Sequence, residues 1–125
     1  MLDTNIAIDL VDGDEETLNR LAGLEGAVLI SMITRVELEG GVHRDPEFAE
    51  TRGARLDRAL QSLPRVDFDD KCAEQYRAIL SRAGFSRRKV LDRMIAAQAL
   101  VHRAVLVTRN ASDFADIPAL EILSW

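Results

Sequence analysis

Met1-Leu2-Asp3-Thr4-Asn5 opens the chain, and the fold turns on how these five residues are read. A carboxylate at the end of a short apolar stub, followed at once by two residues that cap helices well, describes a strand delivering an acid to the mouth of a sheet. Thr4 or Asn5 then caps the next helix. Other functional acids should likewise fall just after strands. Three do: Glu37 follows the apolar run Ala27 to Met32, Asp113 follows Ala104 to Thr108, and Asp92 opens the helical stretch leading into that last run.

Working outward, Ile6, Ala7, Leu10 and Val11 space as one face of a short helix broken by Asp12-Gly13-Asp14. Asp14 caps a second helix with Leu18, Leu21, Ala22 and Leu24 as its buried stripe, ended by Gly26. Ala27 to Met32 is too apolar to alternate, as in a strand covered on both faces. Ser31 or Thr34 caps a third helix carrying Val36, Glu37, Leu38 and Val42. Pro46 to Leu63 is helical, with Gly53 marking a break or a close helix approach, and Pro64 stops it. A short strand, Val66 to Asp69, precedes a helix bearing Cys72, Ala73, Tyr76, Ile79 and Leu80. Phe85 to Lys89 is a basic loop. Val90 to Arg103 is a helix apolar on nearly every face, hence deeply buried, with Asp92 as the charge in its first turn. Val105 to Thr108 and Leu120 to Leu123 complete five strands. Strands alternating with helices predict one domain over residues 1–125, a three-layer α/β/α sandwich with a mostly parallel five-stranded sheet. Its site should lie beyond the carboxyl ends of the strands.

Composition narrows the function. With 47% hydrophobic and 30% charged residues the chain reads as a globular domain, and no apolar run nears the roughly 20 residues of a membrane span. Acids at Asp3 and Asp9 stand where a signal peptide would be basic and then apolar, so a cytoplasmic protein is expected. The single cysteine, Cys72, reads as a small core residue. The net charge of -5 is unevenly spread: residues 82–109 hold seven Lys or Arg against one acid, Asp92. Arg87, Arg88, Lys89 and Arg93 in that segment suit contact with an RNA phosphate backbone, a solvated helix face being the plain alternative.

Acids gathered without His or Cys form a hard-ligand set suited to Mg²⁺ or Mn²⁺ rather than zinc. Like charges 4 Å apart cost on the order of 4 kcal/mol at an effective dielectric near 20. Such a cluster therefore needs a cation or protons. Neither His43 nor His102 is near the acids in sequence, and no catalytic triad, P-loop or dinucleotide fingerprint occurs. Trp125 reads as an anchor for the last strand, and six aromatics leave little for base stacking.

These motifs resemble those of the PIN-domain ribonucleases, and among them the VapC-type toxins of bacterial toxin–antitoxin pairs. The matching stretches are Asp3-Thr4-Asn5, Ser31 to Gly40 with its Glu37-Leu38, Asp92 to Ala99 with its Ile95-Ala96-Ala97, and Thr108-Arg109-Asn110 with Asp113-Phe114. The resemblance covers nearly the whole chain, although only two residues precede Asp3 where the family's first strand carries more. It implies a Mg²⁺-dependent (or Mn²⁺-dependent) endoribonuclease in which Asp3, Glu37, Asp92 and Asp113 bind metal and act in catalysis. Thr108 and Asn110 would support them, as would Thr4, Asn5 and Ser31, which read equally well as helix caps. It further implies a homodimer and a VapB-like antitoxin whose tail covers the acidic cleft. The competing readings are a noncatalytic PIN-fold interaction module and a phosphatase or receiver-type phosphoryl-transfer domain; a phosphatase would place a second acid where Asn5 stands.

Overall fold

The computed structural model describes residues 1–125. Six α-helices, α1 (Thr4–Asp12), α2 (Glu15–Ala22), α3 (Met32–His43), α4 (Ala49–Leu60), α5 (Asp70–Ala83) and α6 (Val90–Val101), alternate with four short strands. These are β1 (Ile30–Ser31), β2 (Arg65–Val66), β3 (Leu106–Thr108) and β4 (Ile122–Ser124). β1 pairs with β2 and β3 with β4, both in parallel.

The opening residues join the two ladders. Leu2 forms an isolated parallel bridge to Val107, with Val107 N–H donating to Met1 C=O and Asp3 N–H to Val107 C=O, both at 2.9 Å. On the other side Leu2 N–H donates to Leu29 C=O at 2.9 Å. The spatial order is β2, β1, residues 1–3, β3, β4. The five expected strands are thus four short strands and one bridging residue.

Side chains on successive strand residues point to opposite faces, and the core divides accordingly. Met1 and Leu106 belong to one buried cluster with Ile79 of α5, Ile95 to Ala97 of α6, and Phe114. Leu2 and Val107, one residue on, belong to another with Ile6 and Ala7 of α1, Leu38 and Val42 of α3, and Leu56 of α4. A sheet with a core on each face is the three-layer α/β/α arrangement.

Several expectations shift. Asp3, not Thr4 or Asn5, caps α1, its Oδ1 accepting from Thr4 N–H at 2.8 Å. A carboxylate satisfies the free N–H groups of a helix start as well as an amide or hydroxyl does, and it favours the positive end of the helix dipole. The strand read over Ala27 to Met32 shortens to Ile30–Ser31 because Ser31 Oγ accepts from Ile33 N–H at 2.9 Å and so opens α3 at Met32. Helix α2 ends at Ala22 with Gly23 as its cap, short of Gly26. Gly53 lies inside α4 without breaking it; a Cβ there would touch Val42 Cγ1 at 3.7 Å, so α3 and α4 run close at that point. Leu18, expected in the buried stripe of α2, and Leu91, on the helix expected to be deeply buried, are exposed. Trp125 does anchor the last strand, its N–H donating to Thr108 C=O at 2.9 Å. No helix is long and apolar enough to cross a membrane.

Candidate active site

Asp3 is the buried member of the acid set, 5% exposed. Its two oxygens face different partners: Oδ1 takes the Thr4 amide, and Oδ2 accepts from Thr108 Oγ1 at 2.7 Å. Thr108, the last residue of β3, also accepts the Asn110 amide at 3.0 Å, so one hydroxyl fixes both the carboxylate and the turn that leads to Asp113. Thr4 serves Glu37 in the same way. Its Oγ1 donates to Glu37 Oε2 and lies 3.1 Å from Thr34 Oγ1. Thr34 and Glu37 are three residues apart on α3 and therefore share a face.

Asp92 stands half-buried in the first turn of α6, and Asp113 lies exposed in the 3₁₀ turn Ala111–Phe114 that follows β3. The Asp92 carboxyl is pushed up from its ordinary range to about 6. Burial is the largest cause, followed by the negative charges of Asp3, Asp113 and Glu37, while Lys89 opposes them. The charges of the other three acids therefore all reach Asp92. No three of them converge as a ready-made ion cage; Asp3 and Glu37 are instead turned onto threonine hydroxyls. What fits a divalent cation is the donor chemistry, hard carboxylate oxygens with neither sulfur nor imidazole beside them.

Next to the acids opens a cleft of about 420 Å³ lined by Ser86, Arg88, Lys89, Asp92 and Asp113, without a hydrophobic residue. Arg87 is exposed beside it, in the 3₁₀ turn Arg87–Lys89. A second groove, of about 300 Å³, borders Glu37 and has a mixed lining, with Ile8, Val11 and Val42 among its apolar residues and Asp12, Arg44, Asp45 and Arg52 among its charged ones.

Two sequence-derived assignments fail here. Arg93, read as an RNA contact, is 3% exposed and donates to Asp116 Oδ2 at 2.9 Å and to Gly84 C=O, leaving no face for phosphate. At its start α6 turns that position inward, where a long cation persists only if paired. Ser31, read as a support for the acids, is fully buried and committed to the scaffold: its hydroxyl caps α3 and donates to Gln98 Oε1. Gln98 in turn donates to Val66 C=O at 3.0 Å, tying α6 to the ends of β1 and β2. Asn5 and Asn110 are exposed, and only the backbone of Asn110 is engaged at the site.

Sequence reasoning missed Thr34, Ser86 and Asp116. The Thr34–Glu37 spacing was the available signal for the first. Nothing local marks Asp116, whose carboxyl lies below the usual range; partial burial pushes it up, but the Arg93 hydrogen bond and the Lys89 and Arg93 charges outweigh that.

Comparison with known proteins places these features in company. The PIN domain family profile matches residues 1–120. Ribonuclease VapC2 of Rickettsia felis is 30% identical over an alignment of 132 positions, covering 100% of this chain and 96% of that protein. The tRNA(fMet)-specific endonuclease VapC of Salmonella typhimurium is 32% identical over 129, with the same coverage, 100% and 96%. Among solved structures, VapBC2 of Rickettsia felis bound to a DNA fragment from its promoter has a TM-score of 0.87 at 32% identity, covering 100% of this chain and 97% of that one.

Proposed function

The chain belongs to the PIN-domain family, and from that premise we propose that it is the endoribonuclease toxin of a VapBC-type toxin–antitoxin pair, dependent on Mg²⁺ or Mn²⁺ and active in the cytoplasm. The observation that carries this reading is the environment of Asp92, whose proton affinity is raised by burial and by the charges of Asp3, Asp113 and Glu37 together. Acids whose proton affinity is raised by burial and by like charges cluster at functional sites.

Asp3, Glu37, Asp92 and Asp113 are the residues that would hold the cation. When bound, a divalent cation supplies Lewis acidity toward water and toward charge developing on a phosphodiester. The remaining work belongs to the chain. Thr108 and Thr4 aim the carboxylates of Asp3 and Glu37 from the sheet and from the first turn of α1. Arg88 and Lys89 line the cleft beside Asp92 and Asp113, where they would hold the RNA backbone, and Ser86 offers it a hydroxyl. Arg87 extends that cationic edge outward.

The partners follow the same reading. A VapB-like antitoxin would lay its tail over the groove that borders Glu37, its apolar side chains against Ile8, Val11 and Val42, and bring an Arg to the carboxylates. A homodimer is part of the proposal. The test is cleavage of mixed RNA with Mg²⁺ or with EDTA, for the wild type and for Asp3→Asn, Glu37→Gln, Asp92→Asn and Asp113→Asn. Cleavage confined to the wild type with Mg²⁺ is expected. Absence of cleavage in every arm returns the chain to a noncatalytic interaction module.

A further inference from the structure

Arg93 is the one basic side chain in the chain that is almost fully buried, at 3% exposure, and its position relative to the cleft accounts for it. Its guanidinium reaches two segments other than its own. One amino group donates to the carbonyl of Gly84, where α5 gives way to the basic loop; the other donates to Asp116 Oδ2 at 2.9 Å, in the turn after Asp113. Lys89 Nζ lies 3.5 Å from the same oxygen. Arg93 Nε and Asp116 Oδ1, the two atoms a bidentate fork would join, are buried and have no hydrogen-bond partner, so the contact to Asp116 is single.

The five residues that line the cleft all come from these three segments. Ser86, Arg88 and Lys89 lie just beyond Gly84, Asp92 immediately precedes Arg93, and Asp113 is three residues before Asp116. One side chain thus links every wall of the cleft. Stability alone gives little reason for such an arrangement, because an ion pair whose carboxylate side chain is 32% exposed contributes little, and even a buried pair replaced by apolar residues of similar volume is often neutral or better. Apolar contacts, however, are not directional. They cannot hold three chain segments at a set angle as a planar fork of donors can.

We propose that Arg93, through Asp116 and the Gly84 carbonyl, is a positioning residue that sets Asp92 and Asp113 in register with one another and with the cationic edge of Arg88 and Lys89. It touches neither RNA nor the reacting atoms. The inference rests on the nuclease reading above and adds to it the device that assembles one half of the site.

Two variants of the full chain test it beside the wild type: the double replacement Arg93→Met with Asp116→Leu, and the conservative Arg93→Lys, which keeps the charge but loses the fork. Each is measured for urea stability, for the Mg²⁺ concentration that half-saturates the rise in melting temperature, and for the rate of cleavage of bulk cellular RNA. Both variants are expected to fold. The Mg²⁺ midpoint should rise about 10-fold in the double variant, with a comparable loss of rate, as for other partners that orient metal ligands. Arg93→Lys should fall between it and the wild type. Either folded variant with an unshifted Mg²⁺ midpoint and wild-type cleavage overturns the assignment of Arg93. A wild type indifferent to Mg²⁺ in both melting and cleavage removes the nuclease reading, and this inference with it.

Discussion

Thr108 Oγ1 donates to Asp3 Oδ2 at 2.7 Å, closing a link between residues 105 positions apart. Both groups are buried, and the same hydroxyl accepts the Asn110 amide at 3.0 Å. Thr108→Val therefore removes two hydrogen bonds without changing the side chain's outline, leaving a carboxylate oxygen and an amide unpaired. A loss of about 1–3 kcal/mol is expected in urea unfolding, together with a drop of about 10-fold or more in cleavage. Thr108→Ser keeps the hydroxyl and should stay near wild type on both measures. Equal effects from valine and serine would show that bulk, not the hydrogen bond, matters at this position.

Asp92 gives the protein a pH dependence of definite sign. Its folded-state value, about 6, lies above the ordinary 3.8, so the folded chain holds this proton more tightly than the unfolded chain does. The contribution to stability is complete below about pH 4 and is lost as pH rises through about 6. The shift corresponds to an upper bound near 3 kcal/mol, and partial solvent exposure brings it to about 1–2 kcal/mol. In EDTA, Asp92→Asn should be more stable than wild type by that amount at pH 7.5 and no different at pH 4. Urea titrations at the two pH values check this. A wild type more stable than the variant at pH 7.5 would mean that neither burial nor the neighbouring charges disfavour the Asp92 carboxylate.

The cationic edge should show in the salt dependence of RNA binding. Arg87 and Arg88 are exposed and form no ion pair, and Arg88 lines the cleft. Each phosphate contact on a single strand contributes about -0.7 to the slope of log affinity against log salt. Replacing both with Ala should flatten that slope by roughly 0.7 per lost contact, while the Mg²⁺ effect on melting survives. An unchanged slope would make this segment a solvated surface.

Gly53 offers a prediction independent of the site. It lies in the interior of α4, its φ is not positive, and an added Cβ would meet Val42 Cγ1 at an ordinary 3.7 Å. Gly53→Ala should then stabilise the protein by about 0.5–1 kcal/mol, because alanine loses less backbone entropy in a helix. A destabilised Gly53→Ala would show that α3 and α4 tolerate no added methyl where they approach.

The order of elements was legible in the sequence alone, and so was the choice of four candidate acids. Both are local quantities: Ile6, Ala7 and Leu10 repeat with a helical period, three of the four residues 105–108 are β-branched, and an acid just beyond a strand is legible from its neighbours. Which side chain does what is not local. Asp3 caps α1 and Thr4 holds Glu37 because residues 1–3 lie between Leu29 and Val107, a pairing no window of sequence contains. Ser31 looked as near to the acids as Thr4 did, yet its hydroxyl meets Gln98, 67 residues away. Arg93 shows the difference most sharply. In the sequence it is one of a row of cations beside Arg87, Arg88 and Lys89. In the fold, the position next to Asp92 on α6 turns inward, toward Asp116 and the Gly84 carbonyl. Charge and spacing tell that a cation is present. Only packing across three segments decides whether it faces water and phosphate or is buried against a carboxylate, since burying a charge is affordable only where a partner stands ready.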